Sequence, residues 1–416
     1  MRILFLCQVL PYPLDAGPKT RVFHVLQYLT KHHEVTLVAF TRESDTPEAV
    51  AHVRSLCPSC HLVPMQRSRL NDVFALLRSL LTAKPFTILR DERAKMLAML
   101  SHLTRYNSFD AIHADQLSMA QYALHAKREL EVKHPGTPPV MVMDAHNAYY
   151  LIPERLARVT GNPAARMFWQ REALLVAHYE ATTYIQFDRV LTVTADDQNA
   201  IRELLSTSKS NPDFMNIPIC VDIHDGPLQF TSEPRGLLLL GGLHWPPNAD
   251  AARWFLNEIW PLVRSAAPQA QLFIIGQRPG AGIRVHGDFP GITMPQQAAN
   301  APVVVTGYVD DPLPFIKACA ALLVPLRSGG GMRVKIVDAL NWGLPVVSST
   351  IGCEGINVTP GHDILVADSP ADFAQAVVST VLSPAIRSQL SQNGRALIER
   401  TYDWRQVYKA FDNVYG

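Results

Sequence analysis

No uncharged apolar run in the 416 residues reaches the roughly 18 that a membrane-spanning helix needs, so no such helix is expected. Charge of one sign is missing too. Lys plus Arg number 38 and Asp plus Glu 37, a net charge of +1. That balance excludes a nucleic-acid binder that works by bulk phosphate neutralisation. Cysteine is scarce, with six residues at 7, 57, 60, 220, 319 and 353. An export signal is not expected either. The apolar start Met1 to Leu10 is followed by Pro11, Pro13 and Asp15 rather than by a small-residue cleavage site, and reads as a first buried strand. The cysteines therefore read as reduced, mostly buried thiols. Cys57-Pro58-Ser59-Cys60-His61 has the spacing of a haem-attachment motif, but without an export signal or a second cysteine pair it reads as a turn.

What is present is apolar surface in quantity. Hydrophobic residues make up 48% and charged residues 18%, enough for sizeable cores and too much for wholesale disorder. Strand-like and helix-like segments alternate. Strands are expected at Arg2–Leu6, Glu34–Ala39, Ala111–His113, Val140–Met143, Val190–Val193 and Phe214–Ile217, with a helix over Lys19–Thr30. A turn-rich stretch follows Asp222. A second series then has strands at Gly236–Leu240, Gln271–Ile275, Pro302–Val305, Ala321–Val324, Pro345–Ser348 and Asp363–Val366. This is the pattern of parallel sheets covered by helices. The expected fold class is α/β, with two Rossmann-like parallel-sheet domains facing a central cleft. The expected boundaries are 1–222 for the first domain, 223–400 for the second, and 401–416 for a helix returning to the first domain.

The most informative segment runs from Ala321 to Val347. A strand ends at Val324, three glycines follow at 329–331, and a helix is expected from about Met332 to Trp342, closed by Gly343. Strand, glycine turn and helix start form an anion site, because free backbone N–H groups and the helix dipole point at the ligand. The dipole alone contributes only about 0.3–2 kcal/mol. Cations are needed to hold a diphosphate, and Arg327, Arg333 and Lys335 flank the glycines. Asp338 lies two turns into the helix, where it can accept hydrogen bonds from a pair of ribose hydroxyls. The bland alternative is a tight strand–helix turn with ordinary surface cations. The segment is neither a Walker A loop nor the first-strand G-x-G-x-x-G of dinucleotide binders, which argues against a nicotinamide dehydrogenase.

With these residues in view the sequence resembles the retaining glycosyltransferases of the GT-B fold, the large class that includes sucrose synthase and many bacterial cell-surface enzymes. In the second half the resemblance runs through Gly241-Gly242-Leu243-His244-Trp245-Pro246-Pro247-Asn248, through Val305 to Asp310 with Gly307 inside it, through the glycine segment, and through Pro345 to Gly355. In the first half it rests on Pro11 to Gly17, Asp144-Ala145-His146-Asn147 and Asn216 to Asp222. It implies a nucleotide-sugar donor held mainly by the second domain, no cofactor and no metal, and transfer with retention. By match of position, Asp338 stands where the family binds the donor ribose. Gly17 stands on the loop that approaches the donor diphosphate, and His146 stands near the transferred sugar. Two departures stand out. A family acid falls on Gly330, and a family Arg and Lys after the first strand of the second domain are replaced by Gly242-Leu243-His244-Trp245. The diphosphate role then passes to Arg327, Arg333 and Lys335, with the 329–331 backbone.

Other candidates are less sharply drawn. Asp144 and Asn147 read as supports for His146. His113-Ala114-Asp115-Gln116 follows a strand and reads either as acceptor-side lining or as a helix cap. The stretch Arg67–Arg105 carries apolar residues at helical spacing among cations, and reads either as helices packed on the sheet or as a surface resting on the inner face of a membrane. The expected partners are a nucleotide sugar and a glycan or lipid-linked acceptor. The expected setting is cytoplasmic, peripheral to the membrane, in cell-surface polysaccharide synthesis. A catalytically inactive relative and a nucleotide-sugar epimerase are the alternatives.

Overall fold

The computed structural model describes residues 1–206, 208 and 211–416. The chain divides into two compact units. The first comprises Met1–Cys220, Gly330–Met332 and Trp404–Gly416, the second Val221–Gly329 and Arg333–Asp403.

In the first unit, seven strands form one sheet: β1 (Arg2–Cys7), β2 (Glu34–Thr41), β3 (Cys60–Pro64), β4 (Ala111–Asp115), β5 (Val140–Ala145), β6 (Arg189–Thr192) and β7 (Asp213–Asn216). Their order is β3-β2-β1-β4-β5-β6-β7, and every pairing is parallel. β1 is a near-continuous apolar run and β4 is wholly buried because helices cover both faces of the sheet. Two cores result. One packs Leu4, Leu6, Ile112 and Met143 against Tyr122, Val176 and Tyr184. The other packs Ile3, Phe5 and Val142 against Val22, Leu26 and the terminal Tyr408, Phe411 and Tyr415. Each such side chain taken from water contributes about 1.5–3 kcal/mol. The second core needs both the helix Gly17–His32 and the last 13 residues of the chain, which lie against the same face.

The second unit repeats the plan with six strands: β8 (Gly236–Leu240), β9 (Gln271–Ile275), β10 (Val303–Gly307), β11 (Cys319–Val324), β12 (Val346–Ser348) and β13 (Leu365–Val366). The order is β10-β9-β8-β11-β12-β13, again all parallel. Phe255, Trp260, Leu323, Phe373 and Val377 fill one side of this sheet. The expected strands of both halves are present, displaced by one or two residues at some ends. β3 is an addition. Of its five residues only Val63 is fully buried, as suits an edge.

The six cysteines are free thiols. Cys57 ends the helix Pro47–Leu56 with its thiol directed to the Val35 carbonyl oxygen at 3.3 Å, and Cys60 opens β3. Burial raises both thiols above their ordinary pKa, Cys60 to about 11.

Candidate functional site

In the second unit the candidate residues gather at the carboxyl ends of β8 and β11, where parallel sheets bind ligands. β11 is wholly buried. Beyond it the chain turns through Gly329 at φ 129° and Gly331 at φ 74°, conformations that side chains with a Cβ rarely adopt. The helix then runs over Val334–Trp342. It starts two residues later than the sequence suggests, because Arg333 at φ −90° and ψ 84° is its non-helical cap. Gly343 closes it in the left-handed region at φ 78°, as expected.

Lys335 stands in the first turn of this helix. Its ammonium donates to the Leu240 carbonyl oxygen at 2.6 Å, where β8 ends, and to Asn248 Oδ1 at 3.3 Å. Burial, with Arg333 nearby, pushes its pKa down to about 8. Gly241 makes room for it. At φ 142°, a Cβ on Gly241 would lie 2.8 Å from the ammonium nitrogen. Arg333 is buried, donates to the Ile351 carbonyl oxygen at 3.4 Å, and passes 3.1 Å from where a Cβ on Gly329 would be. Arg333 thus lies against the glycine turn and Lys335 at the end of β8, near enough for the one charge to lower the pKa of the other. Arg327 is engaged elsewhere. It forms a two-pronged pair with Asp250, at 3.0 and 2.7 Å, and lies over the Trp254 ring. Asp338 has no hydrogen-bond or ion-pair partner among the described residues, and burial alone raises its carboxyl to about 7. Gly307 ends β10 at φ 73° with open space where a Cβ would stand. Ser328, fully buried on the turn, leaves its hydroxyl without a hydrogen-bond partner among the described residues.

The first unit gathers a second set. Register pairs Asp115, the last residue of β4, with Asp144 near the end of β5, so the two carboxylates are neighbours. His146 follows β5 and is buried, with Nε2 2.7 Å from Asp115 Oδ1. The contact is poorly directed: among the described residues neither His146 ring nitrogen has a hydrogen-bond partner in good geometry. Asp144 is claimed by Arg21. The Arg21 Nε lies 2.9 and 2.8 Å from the two carboxylate oxygens, and one terminal nitrogen lies 2.8 Å from Oδ1. Burial opposes ionisation of Asp144, but the Arg21 guanidinium holds its carboxyl well below the usual range. His113 stacks on Phe5 at 4.2 Å and accepts from or donates to the Tyr415 hydroxyl at 2.6 Å, which makes it a core residue rather than pocket lining. Asp115, Asp144 and His146 place ligand-type atoms within 4.8 Å of one another, but a cation there would face the Arg21 guanidinium.

A pocket of about 60 Å³ opens beside His146, lined by Gln8, Arg90, Asp91, Gln116, Ser118 and Tyr149 among others. Gln116, at φ 71°, is a strained residue on its wall. The Ser118 hydroxyl there also lacks a hydrogen-bond partner among the described residues. Two acids of the helix Pro163–Tyr184 fix the pocket's walls. Glu172 accepts from the Phe86 and Thr87 N–H groups, and Glu180 from those of Tyr149 and Tyr150, at 2.9 to 3.1 Å. Asp197 does the same for Ala148 at 2.8 Å. Gly17 opens the helix Gly17–His32, capped at Ala16 without a side-chain hydrogen bond. Gly331 groups with this unit, and a Cβ on it would meet the His146 carbonyl oxygen at 2.9 Å. Arg21, Glu172, Glu180, Asn248 and Gly241 were given no role by the sequence. Only the last two carried a signal, the glycine and asparagine of the Gly241–Asn248 stretch.

Residues 234–382 match the model of the family described as Glycosyl transferases group 1. The second unit carries a group 1 glycosyltransferase domain. The enzyme class that goes with that domain is glycosyltransferase. A Klebsiella pneumoniae protein, described as an uncharacterized 44.6 kDa protein in the cps region, is 20% identical over 411 residues, 96% of each chain. Among solved structures, a sucrose-phosphate synthase from Thermosynechococcus elongatus superposes with a TM-score of 0.70 at 16% identity, over 100% of this chain and 98% of its own. Alr3699/HepE of Anabaena, solved with UDP and glucose, gives 0.65 at 14%, over 100% and 99%. The fold is therefore GT-B, two Rossmann-like parallel-sheet domains. Among the described residues, no helix of this glycosyltransferase is long and apolar enough to cross a membrane.

Proposed function

We propose that this glycosyltransferase moves a sugar from a nucleotide-diphosphate donor to a hydroxyl of a glycan or lipid-linked acceptor, with retention and without a metal ion. The observation that carries the reading is the pair Arg333 and Lys335 at the Gly329–Gly331 turn. Its ammonium and guanidinium groups are buried against backbone oxygens and close to each other. A diphosphate is an anion that meets both groups at once. The turn's backbone adds fixed donors. Asp338, without a partner of its own, accepts from the ribose hydroxyls.

In this reading the diphosphate–anomeric carbon bond breaks as charge on the leaving oxygens grows toward Arg333 and Lys335. The acceptor oxygen bonds to the anomeric carbon from the same face, and its proton passes to a departing phosphate oxygen. His146 offers ring nitrogens to the transferred sugar, and the pocket beside it takes the acceptor. Arg21 occupies both oxygens of Asp144 and sets its own positive charge there, which disfavours a metal ion. The Klebsiella relative's place in a cps region supports an acceptor in cell-surface polysaccharide synthesis, and nucleotide-sugar supply supports a cytoplasmic setting.

The test is a thermal-shift series with UDP, GDP, ADP and their sugars, each with and without chelator. One diphosphate is expected to stabilise the protein, chelator to change nothing, and Lys335→Ala to remove the shift. A shift that needs magnesium, or one that survives Lys335→Ala, overturns the reading.

A further inference from the structure

The helix Arg69–Thr82 is amphipathic in the reverse sense. The residues it buries are Ala75 and Ser79, and Arg171 holds it by donating to the Ser79 hydroxyl at 3.0 Å and carbonyl oxygen at 2.7 Å. Its large apolar residues face water instead. Leu70 is 82% exposed, Val73 57%, Phe74 62%, Leu77 53%, Leu80 59% and Leu81 86%. Their spacing places them along one side of the helix. Together they leave the equivalent of roughly four whole side chains in water, and no other element among the described residues concentrates apolar surface in this way. A stripe of that size marks a surface that is covered in use.

Charge selects the cover. From Gln66 to Pro85 the chain has Arg67, Arg69, Arg78 and Lys84 against Asp72, a net charge of +3. The whole chain is +1, so the remainder is −2. Arg67 and Arg78 reach Asp91 and Glu92 at 3.4 and 3.3 Å, whereas Arg69 and Lys84, one at each end of the stripe, are exposed and without an ion pair among the described residues. A second copy would set one cationic stripe against another. An anionic lipid surface accepts both the apolar face and its cationic ends.

We propose that Arg69–Thr82 is a membrane-docking helix. It lies in the plane of an anionic bilayer, with the Leu70-to-Leu81 stripe in the headgroup–acyl boundary and Arg69 and Lys84 among the phosphates. This assignment is independent of the reaction and holds whether or not the donor site is as described.

The test is flotation of the full-length protein with vesicles of phosphatidylcholine alone, or containing about 30% phosphatidylglycerol. Wild type is expected to float with the anionic vesicles and roughly tenfold less with neutral ones. Phe74→Asp with Leu81→Asp is expected to lose roughly tenfold of the binding at unchanged Tm, and Arg69→Glu with Lys84→Glu several-fold, on anionic vesicles only. If the aspartates lower Tm, Phe74→Ser with Leu81→Ser takes their place. Wild type that stays at the bottom of the gradient overturns the proposal, as does an aspartate variant that floats like wild type. So does a solution dimer that the aspartates split while neither form floats, since the stripe would then belong to a second copy.

Discussion

Arg21 and Asp144 form a two-pronged ion pair from which water is excluded, with both side chains at most 1% exposed. The same guanidinium donates to the Ile217 carbonyl oxygen at 2.7 Å and to that of Pro218 at 3.2 Å. One residue thus ties the first helix to the end of β5 and to the segment after β7. A buried pair is worth little net against an apolar pair of the same shape, but a buried charge stripped of its partner is costly. Arg21→Met is accordingly expected to destabilise by about 3–5 kcal/mol. Asp144→Leu added to it is expected to recover part of the loss. Denaturant titration of the two single variants and the double variant measures this. Additive losses would mean that the ions are not coupled.

That pair also shows where sequence reading stops. β8 and β9 are legible to the residue because their apolar runs are unbroken and bounded by turns. The glycine turn, Lys335 and Asp338 are legible because one short stretch holds them all. The pairing of Arg21 with Asp144 is not. Arg21 reads as one more polar position on a helix, and only the β1-β4-β5 order of the sheet brings it to Asp144. The partner of His146 was hidden for the same reason, since the register of β4 on β5 decides that Asp115 stands beside it. Arg327 was misleading in the opposite way. Its position in the sequence suits a phosphate, but Asp250 and Trp254 hold it. The start of the helix at Val334 rather than Met332 follows from the left-handed Gly331, which no periodicity shows.

Lys335 gives a pH signature. Burial and the nearby Arg333 lower its pKa from the ordinary lysine value to about 8. The unfolded chain therefore holds a proton that the folded one sheds between about pH 8 and 10.5, and on that account stability rises with pH across that window. Binding runs the other way, because a diphosphate needs the ammonium. Diphosphate affinity is expected to fall roughly tenfold between pH 7 and 9, and Lys335→Met is expected to weaken binding and flatten the profile. Calorimetric titration at several pH values decides this, and a wild-type profile as flat as the variant's would refute it.

Asp338 titrates with the opposite sense. Burial raises its carboxyl from the ordinary 3.8 to about 7, so the folded protein keeps a proton that the unfolded chain has lost. Stability from this group is complete below about pH 3.8 and is lost as pH rises toward 7. Asp338→Asn is expected to gain about 1–2 kcal/mol over wild type at pH 8 and nothing at pH 4. Donor binding at pH 8 is expected to weaken by roughly tenfold, the worth of one charge-assisted hydrogen bond. Melting curves at both pH values, with donor titrations alongside, separate the two effects. A variant that gains stability without losing affinity would remove Asp338 from the ribose site.

Glu180 links stability to the acceptor pocket. Its carboxylate caps the Tyr149 and Tyr150 N–H groups and accepts from the Tyr184 hydroxyl at 3.1 Å. Tyr149 lines the pocket beside His146. Removing the carboxylate leaves two buried N–H groups unpaired, at about 1–3 kcal/mol each. Glu180→Ala is expected to lower stability by that order and to raise the acceptor KM, with the donor KM near wild type, because the donor's cations belong to the other unit. His146→Ala provides the contrast. It keeps the Glu180 caps, and is expected to lower kcat by roughly 10² or more with little change in Tm. Steady-state kinetics with each substrate varied in turn distinguishes the two variants. If Glu180→Ala raised the donor KM and spared the acceptor's, the pocket would have to be reassigned.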